Sequence, residues 1–305
     1  MGHKPYISFD WALKRLLRDK ANFDVLEGFL STLLEQQVHI DHLLESESNK
    51  DNEDAKSNRV DLLCENDRGE LLIIEVQGES EFAYFQRILF GTSKLLSEYI
   101  NRGMNYDNVK KVYSINIVYF DLGQGKDVVY HGKTEFRGIH NDEVLQLSSF
   151  QRQRFSVDEV YQLFPEYYIL KVNDFNRWSK VPLEQWLYFL STSDIPEDAD
   201  APGLQAAREK MRYIQMSREE RQAYDRYLDN RVILQDNIIT ARGEGRLEGF
   251  YEGREKGLLE GHNTGLQEGR AEGVLETARK LKSLGVADAL ISQATGLDTD
   301  TIATL

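Results

Sequence analysis

The chain has 305 residues, 41% of them hydrophobic, which is enough for a sizeable core in one large domain or in two modest ones with an extension. Its 51 acidic and 37 basic residues leave a net charge of −14, which argues against a general nucleic-acid coat; DNA chemistry would need a local basic patch or a metal ion. Cys64 is the only cysteine, so an intrachain disulfide and a cysteine-based zinc cluster are both excluded.

The first twenty residues carry charges throughout, with no apolar core of a signal peptide. No run approaches the ~18 apolar residues of a membrane span. The expectation is a soluble, cytoplasmic protein without a membrane partner. Residues 8–36 place Trp11, Leu13, Leu16 and Leu17, then Phe23, Val25, Leu26, Phe29, Leu30, Leu33 and Leu34, at helical spacing. That pattern predicts one or two amphipathic helices. Lys14, Arg15, Arg18 and Lys20 cluster in the first part, as the solvated side of a surface helix or as a face for a phosphate backbone. Residues 45–58 are polar and charged and read as an exposed loop.

Arg59–Gln77, RVDLLCENDRGELLIIEVQ, reads as a β-hairpin around the turn Asn66-Asp67-Arg68-Gly69. A turn centred on Arg68 pairs 66 with 70, 64 with 72, 62 with 74 and 61 with 75. Asp61 then faces Glu75 directly, with Cβ atoms roughly 5 Å apart, and like charges there destabilise a sheet. Gln77 lies two residues on and projects from the same face, while Val60, Leu62, Ile74 and Val76 project from the other. Two opposed carboxylates can share a Mg²⁺, a hard cation that takes oxygen ligands and keeps waters. They can also be two acids merely solvated at a sheet edge.

Beyond Gly78 a helix is expected over 81–100, with Phe82, Phe85, Ile88, Leu89, Leu95, Leu96 and Tyr99 as its apolar positions. VYSINIVYF, 112–120, reads as a buried strand, and VVYHG and TEFRGIH as two short ones. Helix, hairpin, helix and strand together indicate a mixed α/β sheet with helical cover. Residues 151–235 are helical in pattern and rich in aromatics.

Glycine then recurs at every fourth position from 245 to 273, in eight-residue units such as LEGFYEGR and EKGLLEGH. Each unit has an apolar residue in its fourth place (Phe250, Leu258, Leu266, Val274) and Glu in its sixth. Eight interior glycines cost a helix ~8 kcal/mol relative to alanine. The segment is therefore either a linker or a helix whose glycines admit a close partner. The registered Leu and Glu positions favour the partner, and the charges in every unit exclude a membrane dimer. The tail reads as short helices stopped by Gly285 and Gly296, with Asp298 as a cap.

The layout Asp61-x(13)-Glu75-Val76-Gln77, strand, turn, strand, then helix, is similar to the PD-(D/E)XK nuclease superfamily. With FDWALKRLL at the start, FQRILFGTSKLLSEY after the hairpin and the glycine repeat, the whole chain resembles the recombination-promoting nuclease and transposase family. The resemblance implies a nuclease-like core over 1–150, a helical region over 151–235, a glycine-repeat helix or linker over 236–276, and a helix-turn-helix-like tail over 277–305.

It further implies an endonuclease that hydrolyses DNA phosphodiesters with Mg²⁺ or Mn²⁺ and promotes recombination or transposition. Asp61 and Glu75 match the metal-binding acids. Gln77 matches the place usually held by lysine, which orients the attacking water; Gln can hydrogen-bond but brings no charge. Lys14 or Arg87 is a candidate for the missing cation. Asp10 matches a first-helix acid that adds to the metal site in some members, or it caps the helix. The repeat would join copies of the chain. The competing expectation is a nuclease fold that has lost its lysine and serves as an oligomerising interaction protein.

Overall fold

The computed structural model describes residues 6–44, 61–99, 105–173 and 175–305. The loop expected at 45–58 and the first two hairpin residues, Arg59 and Val60, lie outside them. Two compact units divide the chain between Tyr224 and Asp225.

The first unit is built on a mixed six-stranded sheet in the order β1-β2-β3-β4-β6-β5. Its strands are β1 (Ile40–Leu43), β2 (Leu62–Asn66), β3 (Leu71–Gln77), β4 (Val112–Val118), β5 (Val129–Gly132) and β6 (Glu166–Lys171). β1, β2 and β3 pair antiparallel, β3, β4 and β6 run parallel, and β5 closes the edge antiparallel to β6. The hairpin has the expected register, with Leu62 on Ile74 and Cys64 on Leu72. Asn66 makes the turn tight: its Oδ1 accepts from the N–H groups of Arg68 and Glu70 at 3.1 and 2.8 Å. Gly69 takes the left-handed φ of 74° that the turn requires.

Helix α3 (Tyr84–Tyr99) covers one sheet face. Its Leu95 packs with Leu63, Leu71, Ile73 and Val112, and its Tyr84 and Ile88 pack with Val118 and Phe120. The buried stripe is thus Tyr84, Ile88, Thr92 and Leu95. Phe82, Phe85 and Leu89, three of the apolar positions read for this helix, are exposed. The opposite face is also buried, and apart from α4 (Ser149–Phe155) the helices α1 (Phe9–Arg15), α2 (Phe23–Leu34) and α5 (Pro182–Thr192) form an aromatic cluster. Phe9, Phe29, Trp186 and Phe189 interlock there, with ring centroids 5.3–6.3 Å apart. Helix α2 meets the start of α6 (Leu204–Lys210) so closely that a methyl on Gly28 would lie 2.3 Å from the Cα of Gly203. No side chain fits at that crossing.

Two expectations about the sheet are corrected. Glu166–Lys171, inside the region whose pattern reads as helical, is strand β6 and lies within the sheet between β4 and β5. Thr134–His140 is not a strand and contributes only an isolated bridge from Arg137 to Val144. The edge strand β1, with its polar Asp41 and His42, went unpredicted.

Helix α7 (Arg218–Ser283) enters the second unit and carries the glycine repeat as continuous helix. At Gly249 through Gly273 an added Cβ would have nothing within 4 Å. The end of α7 packs with α8 (Asp288–Thr295) and α9 (Thr299–Ala303) through Ala278, Ile291 and Ile302. Asp298 caps α9 as expected, accepting from Thr301 N at 2.7 Å, and Gly296 ends α8 in the left-handed region.

Candidate active site

The hairpin brings Asp61 and Glu75 together beneath α3. Asp61 stands just before β2, on the side-chain face of Leu63, and Glu75 stands in β3, one pair beyond the last registered pair, Leu62 with Ile74. Three further contacts hold Asp61 in place. Its Oδ2 accepts from the N–H of Val76 at 2.7 Å, and its main-chain oxygen accepts from Arg18 Nη2 at 2.6 Å. Its other carboxylate oxygen lies 3.4 Å from the Nζ of Lys14. The basic cluster is therefore directed in part at Asp61, with Lys14 from α1 on its carboxylate and Arg18, in the turn after α1, on its main-chain oxygen.

Glu75 is far more enclosed, with a side chain only 8% exposed. Burial pushes its carboxyl up to about 7; Arg87 pulls it down, while Asp61 and Glu81 add to the rise. Arg87, on α3, offsets the burial only in part. Its Nη2 lies 3.9 Å from Glu75, while its Nη1 is bound to Glu81 at 2.8 Å. Behind Glu75 the phenol of Tyr84 donates to Asn116 Oδ1 at 3.4 Å, and burial with the nearby Glu75 charge keeps that phenol protonated. Asn116, paired with Glu75 across β3 and β4, also donates to Ser114. Sequence reasoning missed Glu81, Tyr84 and Asn116 and named Arg18 only as part of a basic cluster.

Gln77, the last residue of β3, is half-buried and lies on Glu75's face of the strand. Ser8, not Asp10, takes the N-cap position of α1; Asp10 sits in the first turn, on the same helix face as Lys14. Among the described residues no three His, Cys, Asp or Glu side chains stand close enough to hold one ion.

The donor set fits a hard divalent cation. It offers carboxylate oxygens only, and burial raises the carboxyl of its enclosed acid to about 7, against the pull of Arg87. Two carboxylates with waters and substrate phosphate complete such a shell without a third acid.

A family model described as PD-(D/E)XK nuclease family transposase matches residues 7–238. That span contains the whole sheet and every residue of the site. Comparison with curated proteins and with solved structures returns no match.

Proposed function

This chain belongs to the PD-(D/E)XK nuclease family transposases, and we propose on that basis that it is a Mg²⁺- or Mn²⁺-dependent DNA endonuclease. The observation that carries the reading is the pairing of buried Glu75 with Asp61, which Val76 N–H and Lys14 hold in place.

Asp61 and Glu75 would hold the ion without Asp10, since no three acids among the described residues stand close enough to share one. When bound, the ion supplies Lewis-acid stabilisation of the phosphate and a more acidic water. Lys14 takes the part of the strand lysine, placing its ammonium beside the acids where charge develops on the phosphate. Gln77 hydrogen-bonds and orients water or phosphate. Arg87 restrains Glu75 from the α3 side.

Supercoiled plasmid is the substrate for the test. The wild-type chain should nick it with Mg²⁺ or Mn²⁺ and stop when the ion is chelated. Lys14→Ala should be slower by about a hundredfold while retaining ion binding. Full activity in Lys14→Ala would remove that lysine from the mechanism. Gln77 at the lysine position favours a second reading, a non-catalytic interaction protein. Ion binding that does not depend on Glu75, with no nicking, would select it.

Self-association completes the reading, because two joined active sites suit cleavage of both strands. The repeat's glycines leave α7 open to close approach, and Phe250, Leu258 and Leu266 are 63%, 66% and 47% exposed along it. A second copy presents the same period and so fits the same stripe; the four-residue step overshoots a helical turn by about 40°, which calls for a right-handed supercoil. Sedimentation should show a dimer or larger, converted to monomer by joint Leu258→Glu and Leu266→Glu. A monomeric wild type would dismiss this part of the reading.

A further inference from the structure

The sheet face opposite Glu75 carries a second cluster of charged side chains. At the starts of β4 and β6, Lys111 and Glu166 are 10% and 6% exposed. The Lys111 ammonium donates to Glu166 Oε1 and Phe164 O at 2.6 Å each and to Tyr161 O at 3.3 Å. All three of its protons are thus engaged, and its place is structural. It fixes Glu166, whose other oxygen lies 2.6 Å from Nε2 of His131. In that contact Nε2–H donates to the Glu166 carboxylate and fixes the ring's orientation.

His131 stands on the edge strand β5, and its ring lies flat on Tyr168, with centroids 4.4 Å apart and planes at 10°. Tyr168 covers one face of the imidazole, and Glu166 covers its Nε2. Its 39% exposure must therefore come from the other face and the Nδ1 edge. His131 lines a cavity of about 1170 Å³, bounded also by Tyr113 and Tyr161. Four cations balance four acids in its lining, so the cavity is neutral within a chain of net charge −14. Arg68 and Arg154, 42% and 61% exposed, each engage one carboxylate, Glu70 and Asp107, and keep guanidinium donors to spare.

We propose that this cavity binds a nucleotide, with its base stacked on the outer face of His131 and its phosphate on Arg68 and Arg154. Every nucleobase has a face that stacks on an aromatic platform, and here the platform is already rigid because Tyr168 and Glu166 fix the ring. Arginine forks match phosphate oxygens in pairs. The same chemistry serves a free mononucleotide or one base of a single-stranded tract. The site is separate from the metal site. Tyr113 places Glu166 level with Leu72 of β3, three residues before Glu75, two strands across and on the other face.

The test is calorimetric titration of the full chain, with chelator present, against dAMP, a short oligodeoxyadenylate and inorganic phosphate. Wild type and Glu75→Ala should bind dAMP or the oligonucleotide alike, which keeps this site distinct from the nuclease reading. Binding of dAMP identifies a free nucleotide as the source; binding of the oligonucleotide alone identifies a single strand. His131→Ala should weaken binding at least about tenfold, and His131→Phe, which keeps a stacking ring, should restore most of it. Arg154→Ala, on an exposed side chain, should also weaken it and does not disturb the packing of β5. The proposal is overturned if neither nucleotide binds wild type, if phosphate binds as tightly as dAMP, or if His131→Ala and Arg154→Ala both bind as wild type does.

Discussion

Asp61→Ala should lower metal-dependent nicking by a factor of about 10³ or more, the scale of losing a group that acts directly on developing charge. Three losses coincide in this one variant. A carboxylate ligand disappears, Lys14 loses the partner 3.4 Å away that holds it over the site, and Val76 N–H loses its acceptor. The last of these is a loss of stability, about 1–3 kcal/mol for a buried donor left unsatisfied. Activity could therefore fall because the fold weakens. Asp61→Asn separates the two causes. Its amide oxygen still accepts from Val76 N–H, so thermal stability should stay near wild type, while the charge that binds the ion is gone. Nicking should fall in both variants and stability only in the alanine one. Nicking at the wild-type rate in both would identify the cleavage as a contaminant's and end the nuclease reading.

The hairpin was legible because its determinants are local. Asn66 and Gly69 carry turn chemistry, and once the turn is centred on Arg68 the alternation of side chains leaves one face for Asp61, Glu75 and Gln77. The cation was only partly legible. Lys14 and Arg87 could be named from their helices, but only the fold brings Lys14 to 3.4 Å from Asp61 and leaves Arg87 at 3.9 Å from Glu75, tied to Glu81.

β6 was not legible. EYYILK is short and apolar, follows a helical pattern, and becomes a strand through pairing with Tyr113–Val118 more than fifty residues earlier. Helix α3 misled in a different way. Phe82, Phe85 and Leu89 make the more hydrophobic stripe, but the sheet covers the stripe of Tyr84, Ile88, Thr92 and Leu95. Tyr84 and Thr92 read as polar in sequence. They belong inside because Tyr84 reaches Asn116 and Thr92 Oγ1 donates to the main-chain oxygen of Ile88 at 2.9 Å. The structure hides polar groups where the site needs them and leaves larger apolar ones outside.

Glu75 makes the chain's stability depend on pH, and the sign is opposite to that of an ordinary salt-bridged acid. Its carboxyl is raised from 4.5 to about 7, chiefly by burial. The fold thus favours the protonated form. The stability it contributes is fully present below pH 4.5 and is lost as pH rises through 7. A shift of that size corresponds to about 3 kcal/mol. Without metal, wild-type stability should therefore fall between pH 5 and 8 relative to Glu75→Gln, which has no charge to bury. At pH 8 in chelator the Gln variant should be the more stable by up to about 3 kcal/mol. Added Mg²⁺ or Mn²⁺ should reverse the order, because only the ionised wild-type carboxylate is stabilised by the ion. Denaturant unfolding at pH 5 and 8, with and without the ion, measures all four corners. Parallel pH profiles for the two proteins would mean that Glu75 is ionised in the fold without metal, and the buried acid would lose its claim to be the ion's seat.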